Sequence, residues 1–259
     1  AGDPGFTSAT VVYDGTDSEF LVSSQATGLW YYRVRASNAG GDGTWSNVES
    51  VGVIPAAPVL AAISNPDGNG DYLVNWSDVT GATSYRLEED ENAAFTSPTV
   101  RYSGADSQFQ VSAQGTGLWY YRVRASNAGG DGRWSNIESV GVIPAAPMLA
   151  TISNPDGSGD YLVDWSDVTG ATSYWVEEAD NAAFTSPTVR YNGADSQFQV
   201  RAQGTGLWYY RVQARNAGGN GPWSNPESVI VGLAGPALFD ISNPDGSGDY
   251  LVDWSDVTG

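Results

Sequence analysis

The 259-residue chain contains no cysteine, no histidine and no lysine. Without cysteine there are no disulfides, no thiol nucleophile and no thiolate metal site. Without histidine the usual general base near neutral pH is missing, and so is the commonest metal ligand. Without lysine there is no Schiff-base chemistry, and no lysine–asparagine cross-link of the kind that staples some surface fibres. Positive charge is scarce, with 11 arginines against 30 acids and a net charge of −19. Nucleic acid is therefore not an expected partner, because phosphates need cations to neutralise them. Anionic membrane surfaces are disfavoured for the same reason. No apolar run reaches the roughly 20 residues that cross a bilayer, so membrane insertion is not expected. No basic-then-apolar leader opens the sequence, so any export signal was removed or lies outside this stretch. The acid excess reads as solubility and self-repulsion, or as a means of collecting divalent cations.

What the chain has is apolar mass and repetition. Apolar residues make up 41%, with ten tryptophans and fourteen tyrosines, enough for packed cores. "GLWYYRV" begins at Gly28, Gly117 and Gly206, and "ISNPDG" at Ile63, Ile152 and Ile241, so both series step by 89 residues. Residues 58–146 and 147–235 differ at 19 of 89 positions, which leaves little room for different chemistry in each copy.

Each period reads as β structure. Tyr72, Val74 and Trp76 alternate with Leu73, Asn75 and Ser77; Tyr85 and Leu87 alternate with Arg86 and Glu88; Trp119, Tyr121, Val123 and Ala125 alternate with Tyr120, Arg122 and Arg124. Such two-residue periodicity marks strands with one buried face. Turn formers such as "NPDGNGD", "DVTGA" and "NAGGDG" separate them. Seven strands are expected in the copy that begins at Pro58: A 59–64, B 71–77, C 83–89, C′ 99–102, E 107–111, F 118–126 and G 136–143. That pattern is a two-sheet sandwich. The proline-containing joins "VIPAAP" at 53–58 and 142–147, and "VGLAGP" at 231–236, are short and stiff.

"YLVNWSDVTGATSYRLEE" followed by "GLWYYRVRASNAGGDGRWSN" resembles the fibronectin type III domain in its bacterial form. The matching marks are Trp76 on strand B, Tyr85 on strand C, "YRVRASNAGG" on strand F and "WSN" entering strand G. The resemblance implies an all-β fold of tandem fibronectin type III (Ig-like) sandwiches, beads on a string in a rod. The expected units are 1–54, the back part of a domain (strands C′ to G); 55–143 and 144–232, two complete domains; and 233–259, the front part (strands A and B) of a further one. Trp30, Trp119 and Trp208 stand where the family has a corner tyrosine, which suggests an enlarged ring in a corner vacated by a smaller neighbour.

Three constellations are candidate sites. Asp67, Asn69 and Asp71, with Asp156, Ser158 and Asp160, and Asp245, Ser247 and Asp249, follow the opening spacing of an oxygen-ligand calcium loop. The distal bidentate glutamate of an EF-hand is missing, and a Gly/Asp turn between strands A and B explains the same letters. Calcium is the one cofactor this pattern suggests. The second constellation is an aromatic–arginine stack: Arg33 and Arg35 with Trp45, Arg122 and Arg124 with Trp134, and Arg211 with Trp223. Guanidinium over indole is favourable. The resemblance implies a structural ladder of the cytokine-receptor kind, and the rival is an aromatic strip that stacks on sugar rings. The third is the carboxylate pair Glu88 and Glu89, repeated at Glu177 and Glu178. Neighbours on a strand face opposite ways, so neither pair can clamp one glycosidic bond, and no catalysis is expected. "NWS" at 75–77 matches a glycosylation sequon that the other copies lack.

The function these features point to is structural or adhesive: a segment of a bacterial extracellular or cell-surface repeat protein, in a fibre or filament. The partners would be other copies along the fibre, or a surface protein or polysaccharide. The alternative is a spacer or carbohydrate-binding module of an extracellular polysaccharide-degrading enzyme. Ala1 aligns with Asp90 and Gly259 with Gly81. The alignment is expected of a window on a longer array. The rival is head-to-tail complementation between chains, which would leave strand C missing from each junction.

Overall fold

The structure, a computed structural model, describes all residues except 233, 234, 237, 240, 242, 244, 245 and 256–259. It is all-β, with no helix among the described residues. The strands are β1 Gly28–Tyr32, β2 Ser37–Asn38, β3 Gly41–Asp42, β4 Glu49–Val53, β5 Tyr72–Asn75, β6 Ser84–Asp90, β7 Thr99–Gly104, β8 Gln108–Val111, β9 Gly117–Asn127, β10 Gly130–Trp134 and β11 Glu138–Val142. One period on come β12 Tyr161–Asp164, β13 Ser173–Ala179, β14 Thr188–Gly193, β15 Gln197–Val200, β16 Gly206–Asn216, β17 Gly219–Trp223 and β18 Glu227–Val231. The chain divides into two compact units, residues 1–114 with 118–142, and residues 115–117 with 143–259.

In the first unit, β10, β9, β6 and β7 lie side by side, with β11 also on β9. β5 and β8 pair separately, in the register Tyr72↔Val111 and Val74↔Phe109. Between the two sheets lies a core that includes Leu60, Val74, Trp76, Leu87, Val111 and Val123. The alternation in the sequence is the alternation in burial: Tyr72 and Val74 are buried while Leu73 and Asn75 are exposed. The second unit repeats this arrangement, with β17, β16, β13 and β14 in one sheet, β18 on β16, and β12 paired with β15.

One expected strand differs: strand A, expected over 59–64, shrinks to one bridge, Leu60↔Trp76. Strand G is found as β11, and β10 precedes it as an additional strand. Asn136 lies between β10 and β11. Its amide accepts from Leu60 N at 2.9 Å and donates to Leu60 O at 2.9 Å, copying a peptide group with its side chain. The segment after Pro58 is thus held on one side by this side chain and on the other by short backbone pairing, Ala61 N to Asn75 O at 3.0 Å and Ser77 N to Val59 O at 2.9 Å. Asn225 does the same for Leu149.

Residues 1–54 carry only β1 paired with β4 and β2 paired with β3. Val53, Ile54 and Pro55 then run against the turn of the following sandwich. Asn127 Nδ2 donates to Val53 O and to Gly81 O, both at 3.2 Å. A Cβ on Gly129 would lie 2.5 Å from Gly28 O and 2.7 Å from Val53 N, so backbone meets backbone there. Gly52 faces the Gly129 carbonyl with equally little room, and Gly132 faces Pro55 O. In the second unit Gly219 approaches Ile143 and Gly221 approaches Pro144 O.

Candidate functional site

The outer face of β9 holds the densest set of charged and aromatic side chains. The Arg122 guanidinium lies 4.2 Å from the Trp134 ring centre on one side and 4.2 Å from Phe95 on the other. Its Nε and Nη2 both donate to Glu88 Oε2, at 3.0 and 2.7 Å. Arg86 Nε donates to the other oxygen of Glu88, at 3.0 Å. Arg124 sits 4.8 Å from the same indole and pairs with Asp131 at 2.6 Å.

The clamp recurs. Arg33 lies 4.2 Å from both Phe6 and Trp45, with Arg35 at 4.6 Å from that indole. Arg211 lies 4.4 Å from Phe184 and 4.2 Å from Trp223, and donates to Glu177. Each arginine and tryptophan named from the sequence is thus found in the stack. The phenylalanines are additional. Phe6, Phe95 and Phe184 have φ of 56°, 51° and 52°, a backbone state that bulky residues rarely adopt. The stack and the buried Asp90 help hold Phe95 there: Asp90 accepts from Asn92 N at 3.0 Å and from Ser97 N at 2.9 Å.

The second unit departs from the first on this face. Gln213 replaces the second arginine and donates to Gly221 O at 2.8 Å. Arg215, two residues on, stacks 4.0 Å from Trp175 and donates to Asn220 at 2.6 Å. The cation has moved along the strand and gained a new ring, so the interaction type persists while its residues change.

Glu89 points the other way, into the core, where it is 4% exposed. Its carboxylate accepts from Arg101 Nη1 at 2.8 Å, from Gln114 Nε2 at 3.3 Å and from the hydroxyl of Tyr121. The Tyr121 proton is committed to Glu89, so Tyr72, whose oxygen lies 2.8 Å away, donates to Tyr121. Burial, with the hydrogen bond to Glu89 and the contact with Tyr72, pushes the Tyr121 hydroxyl pKa up. Burial pushes Tyr72 up to about 12, with the Glu89 charge adding to it. Glu178, Arg190, Gln203, Tyr210 and Tyr161 rebuild the network in the second unit. A buried carboxylate with its oxygens occupied by three donors is a structural anchor.

In the acidic turns, Asp67 accepts from Asn69 N at 3.3 Å and Nδ2 at 2.6 Å, and Asn69 Oδ1 accepts from Asp71 N at 2.7 Å. Asp71 Oδ1 accepts from Ala113 N at 2.8 Å, fixing a residue with φ of 54°. Asp156, Ser158 and Asp160 repeat the pattern, with Asp160 on Ala202 N at 2.7 Å. The Ser247 hydroxyl donates to Asp249 O at 3.2 Å and accepts from Asp249 N at 3.3 Å, while Asp245 lies outside the described residues. Calcium would have to compete with these bonds. Among the described residues, no three acids come together in a metal-holding group.

The tryptophans at the expected corner are half-buried, and their indole N–H acts as a tyrosine hydroxyl would. Trp30 donates to Ala26 O at 2.7 Å and Trp208 to Gly204 O at 2.8 Å.

No family model matches the chain. Among solved structures it is similar to the FN1–FN3 domains of chicken CNTN1, at 16% identity over 79% of this chain and 76% of that one, with a TM-score of 0.30. It is also similar to a two-domain fibronectin type III segment of chicken tenascin, at 12% identity over 70% of this chain and 99% of that one, with a TM-score of 0.48.

Proposed function

We propose that the chain is a mechanical segment of a bacterial extracellular or cell-surface repeat protein, a spacer and contact element with no catalysis of its own. The observation that carries this reading is the joint in the first unit. There the linker is bound by the Asn127 side chain and by glycine-to-glycine backbone contact rather than left free. A joint of that kind transmits position and force from one repeat to the next. The clamped arginines and the saturated Glu89 network serve the same end, since each consumes its polar groups internally and offers no reactive atom. The partners in this reading are further copies along a fibre, or a surface protein or polysaccharide that touches the repeats.

Stretching single molecules by atomic force tests it. Two unfolding events are expected, each releasing roughly 300 Å of chain less the folded length, as 89 residues at about 3.4 Å each require. Both should recover on relaxation. A chain that extends without resistance is not a mechanical element, and turnover of a polysaccharide by the purified chain would replace this reading with an enzymatic one.

A further inference from the structure

The second unit carries a pair of opposite charges that its own fold does not use. On the outer face of the β12–β15 sheet, exposed Leu162 and Asp164 alternate with buried Tyr161 and Val163. Gln197 and Gln199 stand outward on β15, and exposed Arg201 follows in the same alternation. Leu162 pairs with Gln199 and Asp164 with Gln197, while Arg201 lies beyond the Tyr161↔Val200 pair, at the other end of the face. The two charges are therefore about four residues, or ~14 Å, apart along the strands, too far for an ion pair. Among the described residues neither of them takes part in one. Asp160, at the Arg201 end, is engaged with Ala202 N at 2.7 Å.

One period earlier the same positions are Asn75 and Ser112, so the first unit has neither charge. The charges enter together, with opposite sign, at the two ends of one face. Between them the ground is flat and apolar. Leu162 is 42% exposed, and Gln199 lies down on the sheet, its amide donating to Tyr161 O and Val200 O, both at 3.0 Å. Met148, held to Ser166 just past Asp164, adds a second apolar side chain at 72% exposure.

We propose that this face is a self-complementary contact through which two copies of the chain associate side by side, with Asp164 of each opposite Arg201 of the other. A twofold axis lying in the interface beside Leu162 exchanges the two ends of the face, so both charge pairs form at once. Such a contact is isologous and closes as a dimer. Sheets stacked face to face lie ~10 Å apart, a gap that leucine, aspartate and arginine side chains fill. The occupant is a second copy because the face complements itself. A polyanion would meet Asp164 and a polycation would meet Arg201, whereas a surface with the same two charges in reverse order satisfies both. The contact runs side to side, so it stands or falls independently of the joint on which the mechanical reading rests.

The test is sedimentation equilibrium on the full chain over a concentration series at fixed salt. The wild type should pass from monomer to dimer and stop there. Asp164→Arg and Arg201→Asp each set two like-charge pairs face to face, and each should weaken dimerisation at least about tenfold. Asp164→Arg should do so although it lowers the net negative charge of the chain, which excludes general repulsion as the cause. An equimolar mixture of the two should dimerise as the wild type does, because one chain then brings two cations to the contact and the other two acids. The double change Asp164→Asn with Arg201→Ser installs residues that the first unit already folds with, and it should weaken association several-fold. Asn75→Arg, on the matching face of the first unit, should leave association unchanged. A wild type that is monomeric at roughly 1 mM overturns the proposal. So does a mixture no tighter than either variant alone, a double variant that associates normally, or an equal loss from Asn75→Arg.

Discussion

Tyr121 donates its phenolic proton to the buried carboxylate of Glu89, and 89 residues on Tyr210 donates to Glu178. A charged acid in a sandwich core is tolerable only when it is paired and hydrogen-bonded. The three donors come from β7, from β9 and from Gln114, just beyond β8, and Tyr72 of β5 joins them through Tyr121. They therefore tie the two sheets and the β8–β9 connection to one point. Removing the hydroxyl with Tyr121→Phe leaves the packing nearly intact but takes a donor from Glu89 and an acceptor from Tyr72. The expected loss is about 1–3 kcal/mol by urea denaturation. A variant as stable as the wild type would show that Glu89 is satisfied without this bond.

The same tyrosines set an alkaline limit. Tyr72 titrates at about 12 in the fold, against 10.0 for a free tyrosine, because burial disfavours the phenolate. Tyr121, Tyr161 and Tyr210 are raised for the same leading reason. A folded pKa above the unfolded one means that the unfolded chain loses its proton first. The stabilisation is therefore complete below about pH 10 and drains away as pH rises through about 12. The urea midpoint should hold level up to about pH 10 and then fall, and Tyr72→Phe should make that fall shallower. A midpoint that is level to pH 12 contradicts the assignment.

Much of the framework was legible because burial follows letter alternation. Strands B, C, C′, E and F could be read from Tyr72 and Val74, from Tyr85 and Leu87, and from Tyr121 and Val123. Strand A, expected over 59–64, is only the Leu60↔Trp76 bridge with its flanking bonds, and the amide 76 positions away that also holds Leu60 is encoded by no local period. The arginine–tryptophan stack was legible too, since Arg122 and Arg124 share one strand face and Trp134 follows the turn. The other half of the clamp was not. Phe95 lies in a loop at positive φ, where neither period nor propensity announces a role. Glu89 is the instructive case. The alternation of Tyr85 and Leu87 continues inward to it, but an acid is ordinarily assigned to solvent. Its partners Arg101, Gln114, Tyr121 and Tyr72 become neighbours only once the sheets are stacked.

The clamp makes a prediction about substitution. Arg122 needs a flat cation, because both of its faces lie against rings while its edge meets Glu88. Lysine keeps the charge but cannot stack or bind in two places. Arg122→Lys should therefore cost nearly as much stability as Arg122→Met. A double-mutant cycle between Arg122 and Trp134 should give a coupling of about 0.5–2 kcal/mol. A coupling near zero would mean that the stack follows from the fold without supporting it.

The joint yields the most local test. Gly129 has no room for a side chain, since its Cβ would stand 2.5 Å from Gly28 O and 2.7 Å from Val53 N. Those atoms belong to β1 and β4, so a methyl group must push the 28–53 hairpin away rather than unfold the sandwich that carries residue 129. Asn127→Ala removes the side-chain tie to Val53 and Gly81 without adding bulk. Amide exchange separates local from global effects. In Gly129→Ala, protection should fall at Trp30 and Val51, which pair across β1 and β4, and stay unchanged at Val74 and Val123 in the neighbouring core. Asn127→Ala should give the same pattern more weakly, because it removes the shared donor and the acceptor of Gly129 N but forces nothing apart. Equal loss of protection in both places would show that the joint and the sandwich behind it form one cooperative unit. Unchanged protection at Trp30 in both variants would show that the hairpin does not depend on the joint, and the mechanical reading would lose the contact on which it stands.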